Sequence, residues 1–161
     1  MTSDNAIVYN RAGLADQGKL GPLLLAVYGP ALSVENAAAA KAAFPGSSLE
    51  DELMAADDFY FSTIDLMDCC YFAHAGDAVV GAACLNPYVA ELQYVAVLPE
   101  WRRRGIAKTL INLLMREAHK RGLDHLRADA SLTLADNGGS ALLSSLGFSE
   151  IRRAATMGRS L

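Results

Sequence analysis

A strand that runs through a short basic loop into a long helix and on to a second strand constrains this chain more than any other feature. Glu91 to Val97 is strand-like, Pro99 to Arg104 is a loop with three consecutive arginines, and Gly105 to Arg121 follows. Ile106, Leu110, Leu113, Leu114 and Ala118 recur at the spacing of one helix face. Gly122 stands where a helix C-cap glycine belongs, and His125 to Ala130 reads as the next strand. A crossover of this length joins parallel strands. The chain therefore contains a β-α-β unit.

The flanking segments fill out an α/β (α+β) domain. Ile7 to Arg11 reads as a first strand, followed by helices over Leu14 to Val27 and Val34 to Ala43, the second ended by Pro45-Gly46. Ser48 to Ala56 adds a helical turn or two. Cys69 to Ala75 and Ala78 to Leu85 are apolar runs joined by Gly76-Asp77, which has the chemistry of a hairpin turn and predicts an antiparallel pair. After a loop from Ser131 to Asn137 come a short helix, Gly138 to Leu146, its stop at Gly147, and a last strand near Ser149 to Met157. With 161 residues, no repeat and no linker longer than a turn, the expectation is a single domain over residues 1–161.

Cysteine and charge narrow the function classes. Cys69 and Cys70 are neighbours and Cys84 stands apart, which argues against a disulfide framework and for three buried strand thiols in a reducing compartment. No Cys or His pair has metal-ligand spacing, so no metal is expected. The chain has no apolar run near membrane-spanning length and a polar stretch from Met1 to Asn5, so a cytoplasmic, membrane-free protein is expected. The net charge of -4 argues against nucleic acid as a partner. Residues 1–100 carry three basic side chains against thirteen acidic ones, whereas residues 101–161 carry eleven against five. Two solvated faces of opposite sign would account for this. So would a bisubstrate enzyme whose basic half receives a polyanion while the acidic stretch Glu50 to Asp68 attracts a cationic acceptor.

The loop before the long helix suits a diphosphate. The first N–H groups of a helix lack intrahelical partners, the helix dipole places partial positive charge there, and upstream arginines add formal charge. Gly105 also removes the Cβ that would hold a phosphate away from the backbone. An ordinary basic turn at a helix start would carry the same residues. Neither the Gly-rich dinucleotide fingerprint nor the P-loop signature is present.

At Arg102, Gly105 and Ala107 the sequence resembles the GNAT acetyltransferase superfamily, whose cofactor motif is Gln/Arg-x-x-Gly-x-Gly/Ala. The run Glu91-Leu92-Gln93-Tyr94-Val95-Ala96-Val97-Leu98-Pro99 is similar to that family's central strand and its exit, and Asn137 through Leu146-Gly147-Phe148 to its last helix. The resemblance covers nearly the whole chain and is most specific from Glu91 to Phe148. It implies a mixed, mostly antiparallel sheet flanked by helices, in which the Glu91 and His125 strands run parallel and splay apart. Acetyl-CoA is the implied co-substrate. Its pantetheine arm would pair with backbone at Val95, Ala96 and Val97. Arg102 and the N–H groups of Arg103, Arg104, Gly105, Ile106, Ala107 and Lys108 would wrap its pyrophosphate, and Asn137 would contact it at the start of the last helix.

The activity implied is acetyl transfer to a primary amine, on a small cationic molecule or on a protein. Such a reaction needs a free-base amine, and a carboxylate beside it helps shed the proton. Glu91 aligns with a glutamate that some members use in this way; a salt-bridged or solvated strand-end glutamate is the competing reading. By alternation Glu91 shares a face with Gln93, and Tyr94 turns to the other. Many relatives carry a tyrosine acid where this chain has Leu143, which leaves Ser144 as the nearest hydroxyl. The alternative class is a non-catalytic acetyl-CoA sensor, and a homodimer stays open.

Overall fold

The computed structural model describes residues 6–31, 49–128 and 139–149. Outside them lie the helix expected over Val34 to Ala43, the end of the His125 strand, the loop that contains Asn137, and nearly all of the expected last strand. The described chain runs β1 (Ile7–Arg11), a 3-10 turn (Leu14–Asp16), α1 (Leu20–Ala31), α2 (Leu49–Tyr60), α3 (Ile64–Met67), β2 (Cys70–Ala75), β3 (Ala78–Asn86) and β4 (Glu91–Val97). A second 3-10 turn (Pro99–Trp101), α4 (Ile106–Lys120), β5 (Arg127–Ala128) and α5 (Gly139–Ser145) complete it. The sheet order is β1-β2-β3-β4-β5, antiparallel except for the parallel β4–β5 pair. The mixed sheet and the crossover through α4 are those expected.

Two helices differ from expectation. The helix anticipated from Leu14 begins only at Leu20, because Gly18 takes a left-handed φ of 84° that breaks the helical path. Leu14–Asp16 closes instead as a 3-10 turn in which the Asp16 carboxylate accepts from the Gly13 N–H at 3.0 Å. The expected turn near Ser48 to Ala56 runs on to Tyr60, and α3 forms after it. The Thr63 hydroxyl caps α3 by accepting from the Leu66 N–H.

The hairpin forms as expected, with Ala75 opposite Ala78 and Gly76 at φ 60°. Gly122, at φ 75°, ends α4: the Leu123 N–H reaches Ala118 O and the Gly122 N–H reaches His119 O. Gly147 ends α5 in the same way, with Phe148 N–H bonded to Leu143 O. All three cysteines are free and buried; Cys70 and Cys84 lie in strands, while Cys69 sits one residue before β2. Burial pushes the Cys69 thiol up to about 11. Between the usual value of 9.0 and that point the unfolded chain sheds this proton first, so stability falls as pH rises through the window.

Helices cover both faces of the sheet. A Cβ on Gly81 would meet Ile106 and Leu110 of α4, which places Gly81, Ala83 and Leu85, with their partners Val97, Val95 and Leu92, on the α4 side. Tyr28 of α1 meets Tyr94 on the other side. Across the α4 side, buried Glu117 accepts from Arg11 and Arg121, each at 3.1 Å, and Arg121 continues to Asp65 at 2.9 Å. This network ties the end of α4 to β1 and α3. Glu117→Ala should lower unfolding free energy by about 1 to 2 kcal/mol in urea melts, since it removes the buried acceptor shared by two guanidinium groups that keep their bonds to Tyr71 and Asp65. A loss under about 0.5 kcal/mol would show that the network is not a structural clamp.

Candidate active site

The site is organised by a bulge in β4. Cys84 pairs with Tyr94 and Leu85 pairs with Leu92, so Gln93 is an extra residue in the ladder. The bulge shifts the alternation. Glu91, Tyr94 and Ala96 pair with Asn86, Cys84 and Ala82, which share one face of β3. Tyr94 therefore lies on the same face as Glu91, contrary to the alternation expected from sequence. That face belongs to α1 and α2. Gln93 joins it through the Tyr60 hydroxyl, which donates to Gln93 Oε1 at 2.6 Å. Glu91 is half-buried, and among the described residues its carboxylate has no hydrogen-bond or ion-pair partner.

Beyond the bulge, β4 turns backbone groups to the β5 side. The Leu98 N–H donates to Val80 O at 2.9 Å, which fixes the phase of the ladder. Tyr94 and Ala96 then point their N–H and C=O groups at β3, while Val95 and Val97 point theirs to the opposite edge. There the Tyr28 hydroxyl donates to Val95 O at 3.1 Å, and Arg102 Nε donates to Val97 O at 3.2 Å. Burial pushes the Tyr28 phenol well above its usual range, so it stays a neutral donor. Among the described residues β5 pairs with β4 only opposite Glu91 and Leu92. The Val95 and Val97 N–H groups are thus oriented for an extended ligand chain to pair with them.

The basic loop forms an anion cradle. Arg103, at φ 64°, and Gly105, at φ 77°, both take the left-handed conformation, which is common in backbone concavities that bind anions. Among the described residues, none of the backbone N–H groups from Arg103 to Lys108 has an acceptor. The first turn of α4 is closed only from Thr109, whose N–H and hydroxyl both reach Gly105 O, at 3.0 and 2.9 Å. No acidic residue occupies that turn. Arg103, Arg104 and Lys108 are exposed, Arg102 and Ala107 are half-buried, and Ile106 packs into the core. The Arg104 guanidinium lies 4.6 Å from the Trp101 ring centroid, a cation–π contact that steadies the loop. A row of unpaired N–H groups, a helix dipole and four cationic side chains fit a diphosphate.

The remaining expected residues lie apart from this cluster or outside the described chain. Ser144 is exposed on α5, while Leu143 beside it is 5% exposed and packs in the core. Asn137 lies outside the described residues. The acidic stretch is partly committed to structure. Asp57, 8% exposed, accepts from the N–H groups of Gly18, Leu20 and Gly21 at 3.2, 3.2 and 2.6 Å. It caps α1 from a distant point in the chain and is not available to recruit a cation. An open hollow of about 410 Å³ beside it is lined by Gln17, Gly18, Asp51, Met54 and Asp58. Sequence reasoning missed Tyr28 and Tyr60, because nothing local marks a helical tyrosine as a partner of a distant strand.

Strand, bulge, crossover helix and basic loop together form a site suited to a diphosphate-bearing ligand whose arm would lie along a strand edge. The model of the acetyltransferase (GNAT) family matches residues 36–148, and the chain belongs to that family. Its members are acetyl-CoA-dependent N-acetyltransferases. Among solved structures, the chain is 18% identical to the aminoglycoside N-acetyltransferase AAC(6')-Iy in complex with CoA, with a TM-score of 0.64 over 100% of this chain and 99% of that one. Against a predicted acetyltransferase with acetyl-CoA from Clostridium acetobutylicum the identity is 14% and the TM-score 0.62, covering 95% and 96%. Agmatine N-acetyltransferase gives 15% and 0.67, covering 92% and 85%. At these identities the likenesses show the fold. No curated protein sequence matches the chain.

Proposed function

We propose that this chain transfers an acetyl group from acetyl-CoA to a primary amine in a single domain, by direct attack with both substrates bound, and that Glu91 is the general base. The observation that carries the reading is the half-buried Glu91 carboxylate, unpaired among the described residues, on the face of β4 shared with Tyr94. An amine of pKa near 10 arrives as ammonium, and a carboxylate within reach, directly or through one water, takes its proton. Bound acetyl-CoA supplies the thioester that the amine attacks. Toward it, the N–H groups from Arg103 to Lys108 hold the diphosphate, and those of Val95 and Val97 align the pantetheine arm. Asn137 and Ser144 are assigned lesser roles, as a cofactor contact and as a hydroxyl near the leaving group. A thiol of pKa near 8.5 leaves without strong assistance, so a core leucine at position 143 is compatible with turnover. Exposed Asp58 supports a small cationic acceptor.

Glu91→Gln should lower kcat by about 10²- to 10⁴-fold, the usual worth of a positioned base, while the Kd for acetyl-CoA stays unchanged. Steady-state thiol release and calorimetry on the same preparation check both. A kcat within threefold of the parent would remove Glu91 from the chemistry.

A further inference from the structure

Gln93 is the bulge residue of β4, and its side chain is held by a group placed for little else. Tyr60 is fully buried, and burial pushes its phenol far above the usual range, so the hydroxyl keeps its proton. A buried hydroxyl proton needs an acceptor. Gln93 Oε1, at 2.6 Å, is the acceptor the structure records. This contact fixes which way the carboxamide points: Oε1 is turned to Tyr60, and Nε2 is turned away. Gln93 is half-exposed, and among the described residues Nε2 donates to nothing. Two residues along, Glu91 offers its unpaired carboxylate on the same face. Two strand residues span roughly 6 to 7 Å, within reach of one small molecule.

Resting on the amine-acetylation reading, we infer that Gln93 Nε2 is an acceptor-specificity contact, selecting an amine that carries a hydrogen-bond-accepting oxygen a few bonds from its nitrogen. Glu91 takes the nitrogen and Gln93 donates to the oxygen, with Tyr60 as the residue that positions the carboxamide. Hydroxylated amines such as amino alcohols and amino sugars have this pattern; alkylamines lack it. A site built to bond an oxygen discriminates against the analogue without one, because its polar group is then left unpaired.

The test uses 3-aminopropanol and butylamine, which exchange a hydroxyl for a methyl at equal length, with saturating acetyl-CoA and thiol release as the readout. The intact protein should favour the amino alcohol by about tenfold or more in kcat/KM. Gln93→Leu should bring that ratio to within about threefold of one. Tyr60→Phe leaves the carboxamide free to rotate, and should raise the KM for the amino alcohol by about fivefold with the loss in KM rather than kcat. A ratio near one in the intact protein would overturn the inference. So would an equal fall in kcat for both amines in Gln93→Leu, which would assign the side chain to the reaction centre instead. Absence of thiol release with 3-aminopropanol would also overturn the inference, and absence with agmatine, an aminoglycoside and an alanine-terminated peptide as well, in protein that binds acetyl-CoA, would overturn the amine-acetylation reading beneath it.

Discussion

Gly105→Glu should abolish calorimetric binding of acetyl-CoA, weakening it by at least about 100-fold, while leaving the far-UV circular dichroism of the folded protein intact. Two physical effects combine. Gly105 sits at φ 77°, where a side chain costs about 1 to 2 kcal/mol of backbone strain. A Cβ there meets no protein atom within 4 Å, so the added carboxylate projects into open space beside the unpaired N–H groups. It would occupy the cradle as an anion and repel the diphosphate. A 100-fold loss corresponds to about 2.7 kcal/mol, which the carboxylate supplies by repelling the diphosphate and by taking its N–H donors. Gly105→Ala separates the two effects, since it brings the strain without the charge and should bind only modestly more weakly. Arg103→Gly is the converse control. Arg103 is already left-handed at φ 64°, a conformation glycine adopts freely, so its loop should persist. Retained affinity in Gly105→Glu would show that the diphosphate does not lie on this turn.

Asp57→Ala should be among the most destabilising single changes in the chain, lowering unfolding free energy by about 4 kcal/mol. One carboxylate satisfies three backbone donors at the start of α1, and two of those bonds are buried. Removing it leaves the buried Leu20 and Gly21 donors without their acceptor, while the exposed Gly18 N–H can turn to water. Against a typical total of about 5 to 15 kcal/mol, the loss would bring the domain near the limit of folding. Asp57→Asn keeps one acceptor and turns an amide N–H toward the others, so about half the loss is expected. The neighbouring Asp58 is exposed, and Asp58→Asn should change stability by less than about 0.5 kcal/mol. Urea midpoints at constant m-value order the three variants. Equal stability of Asp57→Ala and Asp58→Asn would contradict the capping role and return Asp57 to the pool of free surface charge.

The crossover was legible because its signals are local and redundant: an apolar strand, a face of Ile106, Leu110 and Leu114, and glycines at both helix ends. The hairpin was legible for the same reason. The bulge was not read, although Leu92 and Val95 are three residues apart where strict alternation would put core residues two apart. That spacing was a signal that the face changes phase. The late start of α1 depends on Gly18 turning left-handed and on Asp57, 37 residues beyond Leu20, supplying the cap. No window of sequence around Leu14 contains that information. Tyr28 and Tyr60 belong to the same class, since each matters through a bond to β4 formed across 67 and 33 residues. The loop, glycine and helix start of the proposed cradle could be read because they are contiguous in sequence, and recognition by backbone would need nothing else. Side-chain roles around Glu91 depend on which elements pack over the strand.

The most direct test of the account is thiol release from acetyl-CoA by the purified full chain, with agmatine, an aminoglycoside and an alanine-terminated peptide offered in turn. The account predicts amine-dependent release with at least one acceptor, matched mole for mole by N-acetylated product and lost in Gly105→Glu. Tight, Gly105-dependent binding of acetyl-CoA with no release by any amine would contradict it and make the domain a sensor of the cofactor.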